Sequence, residues 1–105
     1  MSGGYRVVTL CGSTRFKDAF ERAQKELTLQ GYIVISVGLF GHADQEYEKR
    51  ITDDVKIMLD DMHKRKIDMS DEIYVINVEG YIGESTASEI AYANTTNKMV
   101  RYLEY

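Results

Sequence analysis

The feature that most constrains this chain is an alternation. Short β-branched runs end on glycine, and each is followed by a stretch whose apolar residues recur at helical spacing. Residues 5–11 (YRVVTLC) form the first run and read as a buried strand, which Gly12-Ser13-Thr14 interrupts. Phe16, Phe20, Ala23 and Leu27 then fall on one helix face, with Lys17/Glu21 and Arg22/Glu26 as i,i+4 pairs on the other side. Gly31 supplies a helix stop. Residues 32–37 (YIVISV) make a second strand, and a loop with Gly38 and Gly41 follows and includes His42. Over residues 44–69 Tyr47, Ile51, Val55, Met58 and Met62 keep a helical spacing, and Thr52-Asp53-Asp54 reads as a fresh N-terminus, giving room for two helices. Residues 71–78 (DEIYVINV) form a third strand, 85–97 a small-residue helix and 99–103 a last strand.

The order is thus β-α-β-α-β-α-β, without repeat, linker or low-complexity segment. Such alternation favours a parallel sheet with helices on both faces and right-handed crossovers. Ligands of such sheets sit beyond the carboxyl ends of the strands, where strand order reverses. Those ends carry residues 11–15, 38–42 and 77–86, and the three loops are expected to meet.

With 105 residues the chain fits a single domain, 1–105. Its net charge of −4 and pI near 5.1 argue against a nucleic-acid polymer or an anionic membrane as partner, while leaving room for one phosphate held locally. Cys11 is the only cysteine, so no intramolecular disulfide forms, a reducing compartment is expected, and a cysteine-based metal cluster is not. No apolar run reaches membrane-spanning length and the first residues lack a signal-peptide pattern, so the expected location is the cytoplasm.

Two loops carry the chemistry. In Gly12-Ser13-Thr14-Arg15, glycine permits close backbone approach, the hydroxyls can cap a helix or bind an anion, and Arg15 adds a bidentate cation. The turn lacks both the dinucleotide fingerprint and the Walker pattern. In the stretch 80–89 (GYIGESTASE), Thr86 and Glu89 match a T-x-x-E capping box, a purely structural role. The functional alternative puts the Glu89 carboxylate in the first helical turn, ionised by the helix dipole, as a glycosyl nucleophile requires. His63, one turn from Asp60, reads either as a half-buried helical residue or as an acid/base group; His42 is a weaker candidate, and the two histidines give no metal set. Asn77, at the end of the third strand, is placed to hydrogen-bond a ribose hydroxyl.

The strand and GS-x-R turn (residues 7–15), together with Ser70-Asp71-Glu72-Ile73, Ser88-Glu89-Ile90-Ala91 and Asn97-Lys98, resemble the nucleoside 2-deoxyribosyltransferase superfamily, which includes deoxynucleoside 5′-monophosphate N-glycosidases. The resemblance runs in order over nearly the whole chain. It implies a nucleophile at Glu89, a 5′-phosphate site at Ser13 and Arg15, and supporting hydroxyls at Ser85 and Thr86 beside Gly83. It also implies a homodimer or higher oligomer in which a neighbour completes the pocket, and no cofactor. Two positions depart from the family pattern: Thr9 stands where a strand tyrosine is usual, and His63 where an aspartate protonates the leaving base.

Alternation and resemblance together give the expected fold: a three-layer, flavodoxin/Rossmann-like α/β domain with about four parallel strands in the order 2-1-3-4. The expected ligand is a nucleoside or nucleotide held by Gly12, Ser13, Thr14, Arg15, Asn77, Gly83, Ser85 and Thr86, with Glu89 attacking the anomeric carbon and His63 protonating the base. The competing expectation is a nucleotide-binding module of the same fold without catalysis.

Overall fold

The computed structural model describes residues 1–41 and 43–104, so the His42 candidate lies outside the described residues. The chain runs β1 (Val7–Gly12), α1 (Lys17–Leu29), β2 (Ile33–Ile35), α2 (Gln45–Glu48), α3 (Asp53–Asp68), β3 (Glu72–Ile76), a 3-10 turn (Val78–Gly80), α4 (Glu84–Thr95) and β4 (Met99–Tyr102). The four strands pair in parallel in the order β2-β1-β3-β4, the expected architecture.

Helices cover both faces of the sheet. Val8 and Leu10 of β1 and Ile76 of β3 pack with Phe20, Ala23 and Leu27 of α1. The alternate residues Cys11, Ile73 and Val75 face Ile67 of α3 and Ala93 of α4. A strand buried on both faces cannot alternate apolar with solvent-facing polar residues, which is why β1 reads as a near-continuous run whose one polar side chain, Thr9, is hydrogen-bonded. Phe20 anchors the first core, fully buried and edge-on to Phe40 at 5.4 Å.

Local signals end the helices where expected. Gly31 takes a φ of +93°, and the amides of Gly31 and Tyr32 return to the carbonyls of Thr28 and Leu27, a Schellman closure. Thr52 caps α3, its hydroxyl accepting from the Val55 amide at 3.4 Å, so the long helical stretch divides there. The apolar stripe from Tyr47 to Met62 is not the face that meets the sheet: Tyr47, Met58 and Met62 are exposed, while His63 and Ile67 point inward.

The 70–72 block has structural work of its own. Ser70 Oγ meets Thr9 Oγ1 at 2.9 Å, Asp71 accepts the Val7 amide at 2.8 Å, and the buried Glu72 carboxylate takes Arg6 and Arg101, each at 2.9 Å. The Thr9 hydroxyl, which also donates to the Lys66 carbonyl, is therefore spent on joining β1 to the end of α3.

At the end of β1, a Cβ on Gly12 would stand 2.8 Å from the Ile76 carbonyl oxygen and 3.3 Å from the Phe20 ring. The close approach that requires glycine is thus between two adjacent strands. Gly12→Ala is expected to destabilise the fold by about 2 kcal/mol, read as a lowered urea midpoint at unchanged slope.

Candidate functional site

The ends of β1, β2 and β3 open into one cavity of about 920 Å³. The loop after β1 contributes Gly12, Ser13, Thr14 and Arg15, the loop after β2 Val37, Gly38 and Leu39, and the segment after β3 Tyr81 and Gly83. The three loops meet as the strand order requires. α3 and α4 close the remaining wall with His63 and Glu89.

The first turn is shaped as a rim. Phe16 is the N-cap of α1 and makes no side-chain cap, and Ser13 is turned to Arg15 instead. Ser13 Oγ accepts from Arg15 Nε at 3.1 Å, and the Arg15 guanidinium lies 4.5 Å from the centre of the Tyr81 ring. That stacking holds a planar cation across the cavity mouth.

α4 begins earlier than the capping-box pattern implies. Gly83 is its N-cap and the first helical bond runs from the Ala87 amide to the Gly83 carbonyl. Thr86 is therefore inside the first turn and Glu89 lies in the second, where Thr86 cannot cap and the dipole is weaker. The helix dipole alone therefore does not hold Glu89 fully ionised. Burial, with a smaller contribution from Asp60, pushes the Glu89 carboxyl up to about 7, against which a hydrogen bond to Cys11 acts.

His63 sits beside it, its Nε2 3.8 Å from Glu89 Oε1 and 3.5 Å from Cys11 Sγ. Burial and then Lys66 push the imidazole down to about 4, opposed by a hydrogen bond to the Leu10 backbone and by Asp60. At pH 7 the ring is therefore neutral, and the short contact is not an ion pair in spite of its length. The imidazolium expected as the acid is absent from the resting site at that pH. Cys11 is fully buried, and desolvation followed by the Glu89 charge raises its thiol well above the ordinary range.

Ser85 lies on the rim, where Lys56 Nζ donates to its Oγ and to Asp60 Oδ2, both at 3.2 Å. Gly83 also borders the cavity, where a Cβ would meet the Tyr81 hydroxyl at 3.4 Å. Asn77 does not join them. Its Nδ2 donates to the Glu104 carbonyl and its Oδ1 accepts the Glu104 amide, both at 2.9 Å, so its amide is used to hold the C-terminal segment.

Sequence reasoning missed Cys11, Lys56 and Tyr81. Lys56, Asp60 and His63 are spaced i, i+4 and i+7, one face of a helix, and that signal was readable. Comparison of the chain with protein-family models, with curated proteins and with solved structures finds no match in any of the three.

Proposed function

We propose that this protein cleaves the N-glycosidic bond of a nucleoside or nucleotide, or transfers its (deoxy)ribosyl group, through a covalent intermediate on Glu89. The observation that carries the reading is that Glu89 and the Ser13–Arg15 turn line one cavity. The rim hydroxyls, Arg15 and the α1 N-terminus suit a phosphate; the sugar then lies over the strand ends, with its anomeric carbon toward the carboxylate.

The reaction needs an anionic nucleophile and an acid for the departing base. Both arise from one proton. Near pH 7 the Glu89 carboxyl holds it about half of the time, and its transfer to His63 Nε2, once the 3.8 Å separation closes to hydrogen-bond distance, produces carboxylate and imidazolium together. Values of about 7 and about 4 make that transfer cost about 4 kcal/mol in the free protein. An anionic phosphate nearby favours the imidazolium. The carboxylate then attacks the anomeric carbon as the C–N bond breaks and His63 protonates the base; water or a second base, giving its proton to the now neutral His63, attacks the same carbon and breaks its bond to the Glu89 oxygen.

The productive site carries a single shared proton, so kcat/KM is expected to hold a plateau between about pH 4 and 7 and to fall above it. A rate that instead climbs through pH 7 would show that Glu89 works without His63 as acid. Arg15→Ala is expected to raise KM for a nucleotide about 10- to 100-fold with a smaller change in kcat, and to leave a nucleoside unaffected.

The reading also takes the protein as a homo-oligomer, supported by Ile57, Met58 and Met62, exposed on α3. One observation favours the second reading, a nucleotide-binding module: burial keeps His63 neutral and raises the Glu89 carboxyl, whereas catalysis uses imidazolium and carboxylate. Incubation with deoxynucleoside monophosphates, ribonucleotides and NAD, following free base by chromatography and thermal shift in parallel, separates them. Base release supports the enzyme; a thermal shift without release supports the module.

A further inference from the structure

Three donors of different hardness converge beside the cavity, which His63 and Glu89 line and behind which Cys11 is fully buried. Cys11 comes from β1, His63 from α3 and Glu89 from α4, and their ligand atoms all lie within 4.8 Å of one another. We propose that Cys11 Sγ, His63 Nε2 and Glu89 Oε1 bind one zinc-class divalent cation, with the fourth position facing the cavity.

A thiolate, an imidazole and a carboxylate form a donor set that borderline-soft zinc accepts and that hard magnesium or calcium does not favour. Tetrahedral zinc with ordinary bond lengths separates its ligand atoms by about 3.3–3.6 Å. The sulfur–nitrogen pair already stands at 3.5 Å and the nitrogen–oxygen pair at 3.8 Å, so closure asks for a small swing of the glutamate. Each ligand stands on a regular element anchored to the sheet, so the site is held without a loop having to order. The nearby ammonium groups oppose a dication, but Lys56 is paired with Asp60 and Lys66 is turned to the Ser36 carbonyl.

Binding forms the S–metal, N–metal and O–metal bonds and releases the Cys11 thiol proton, with the Glu89 proton where it is held; nothing is oxidised or reduced. The effect on activity rests on the proposed function: a Glu89 oxygen bound to metal cannot attack carbon, so zinc is expected to inhibit base release.

The test is titration of the purified protein with cobalt(II) at pH 7.5, followed by zinc displacement against a chromophoric chelator. One cobalt per chain is expected, with a thiolate charge-transfer band that zinc abolishes. Cys11→Ala and His63→Ala should each lose that band, and Glu89→Gln, which keeps the side chain's shape, should retain it at weaker affinity. Circular dichroism establishes that each variant is folded, and should Cys11→Ala not fold, His63→Ala and Glu89→Gln decide. A folded wild type without the band, or a band that survives His63→Ala, overturns the site. The readouts stay separate: absence of base release from metal-free protein counts against the enzyme alone, and absence of the cobalt band against the metal site alone.

Discussion

Glu89→Gln is expected to lower base release by on the order of 10⁴-fold or more while leaving the fold intact, because the nucleophile is removed and no neighbour can take its place. Glutamine preserves the volume of a side chain that is 8 % exposed and keeps a polar partner for Cys11. Nucleotide binding, read by thermal shift, is expected to persist, since Ser13 and Arg15 are untouched. A variant that loses binding along with turnover would mean that Glu89 holds the ligand or the structure instead. Arg15→Ala should show the opposite division.

The second large effect is on stability, and its sign differs for the two buried groups. The Glu89 carboxyl is raised to about 7 from an ordinary 4.5. Its favourable share is therefore complete below pH 4.5 and is lost as pH rises through 7, by about 3 kcal/mol. His63 is lowered to about 4 from 6.5. Its neutral ring costs nothing above pH 6.5, and about 3 kcal/mol is lost as pH falls through 4. The two losses run in opposite directions over nearly the same range and largely cancel. The wild type is expected to show little net slope from this pair between pH 4 and 8. Glu89→Gln should uncover a stability that rises with pH over that range, and His63→Gln one that falls. Urea denaturation at several pH values reads both slopes. Parallel curves for all three proteins would contradict the burial on which both shifts depend.

The fold was legible because its signals are local. β-branched runs marked the strands, Gly31 closed α1, and Thr52 divided the second helical stretch, each through contacts within a few residues. The candidate cavity was legible at the Ser13-Thr14-Arg15 turn and, through the resemblance, at His63 and Glu89, all of which line it. The T-x-x-E pattern misled because Gly83, in extended conformation, can begin the helix three residues before Thr86, and sequence does not choose between them. Asn77 misled for a different reason, since its partner is Glu104, a contact set by where the C-terminal segment lies against β3. The exposed Met58 and Met62 show that helical periodicity identifies a face without saying what that face meets. Cys11 was read as a core residue and is one; its position under His63 and Glu89 depends on strand parity and on the packing of two helices remote in sequence.

The most direct measurement is the intact mass of the protein after acid quenching during turnover of a nucleotide. The account predicts an added (deoxy)ribosyl phosphate, localised by proteolysis to the peptide that contains Glu89. Base released at full rate without any such adduct on that peptide, under conditions where attack outpaces resolution, would contradict it.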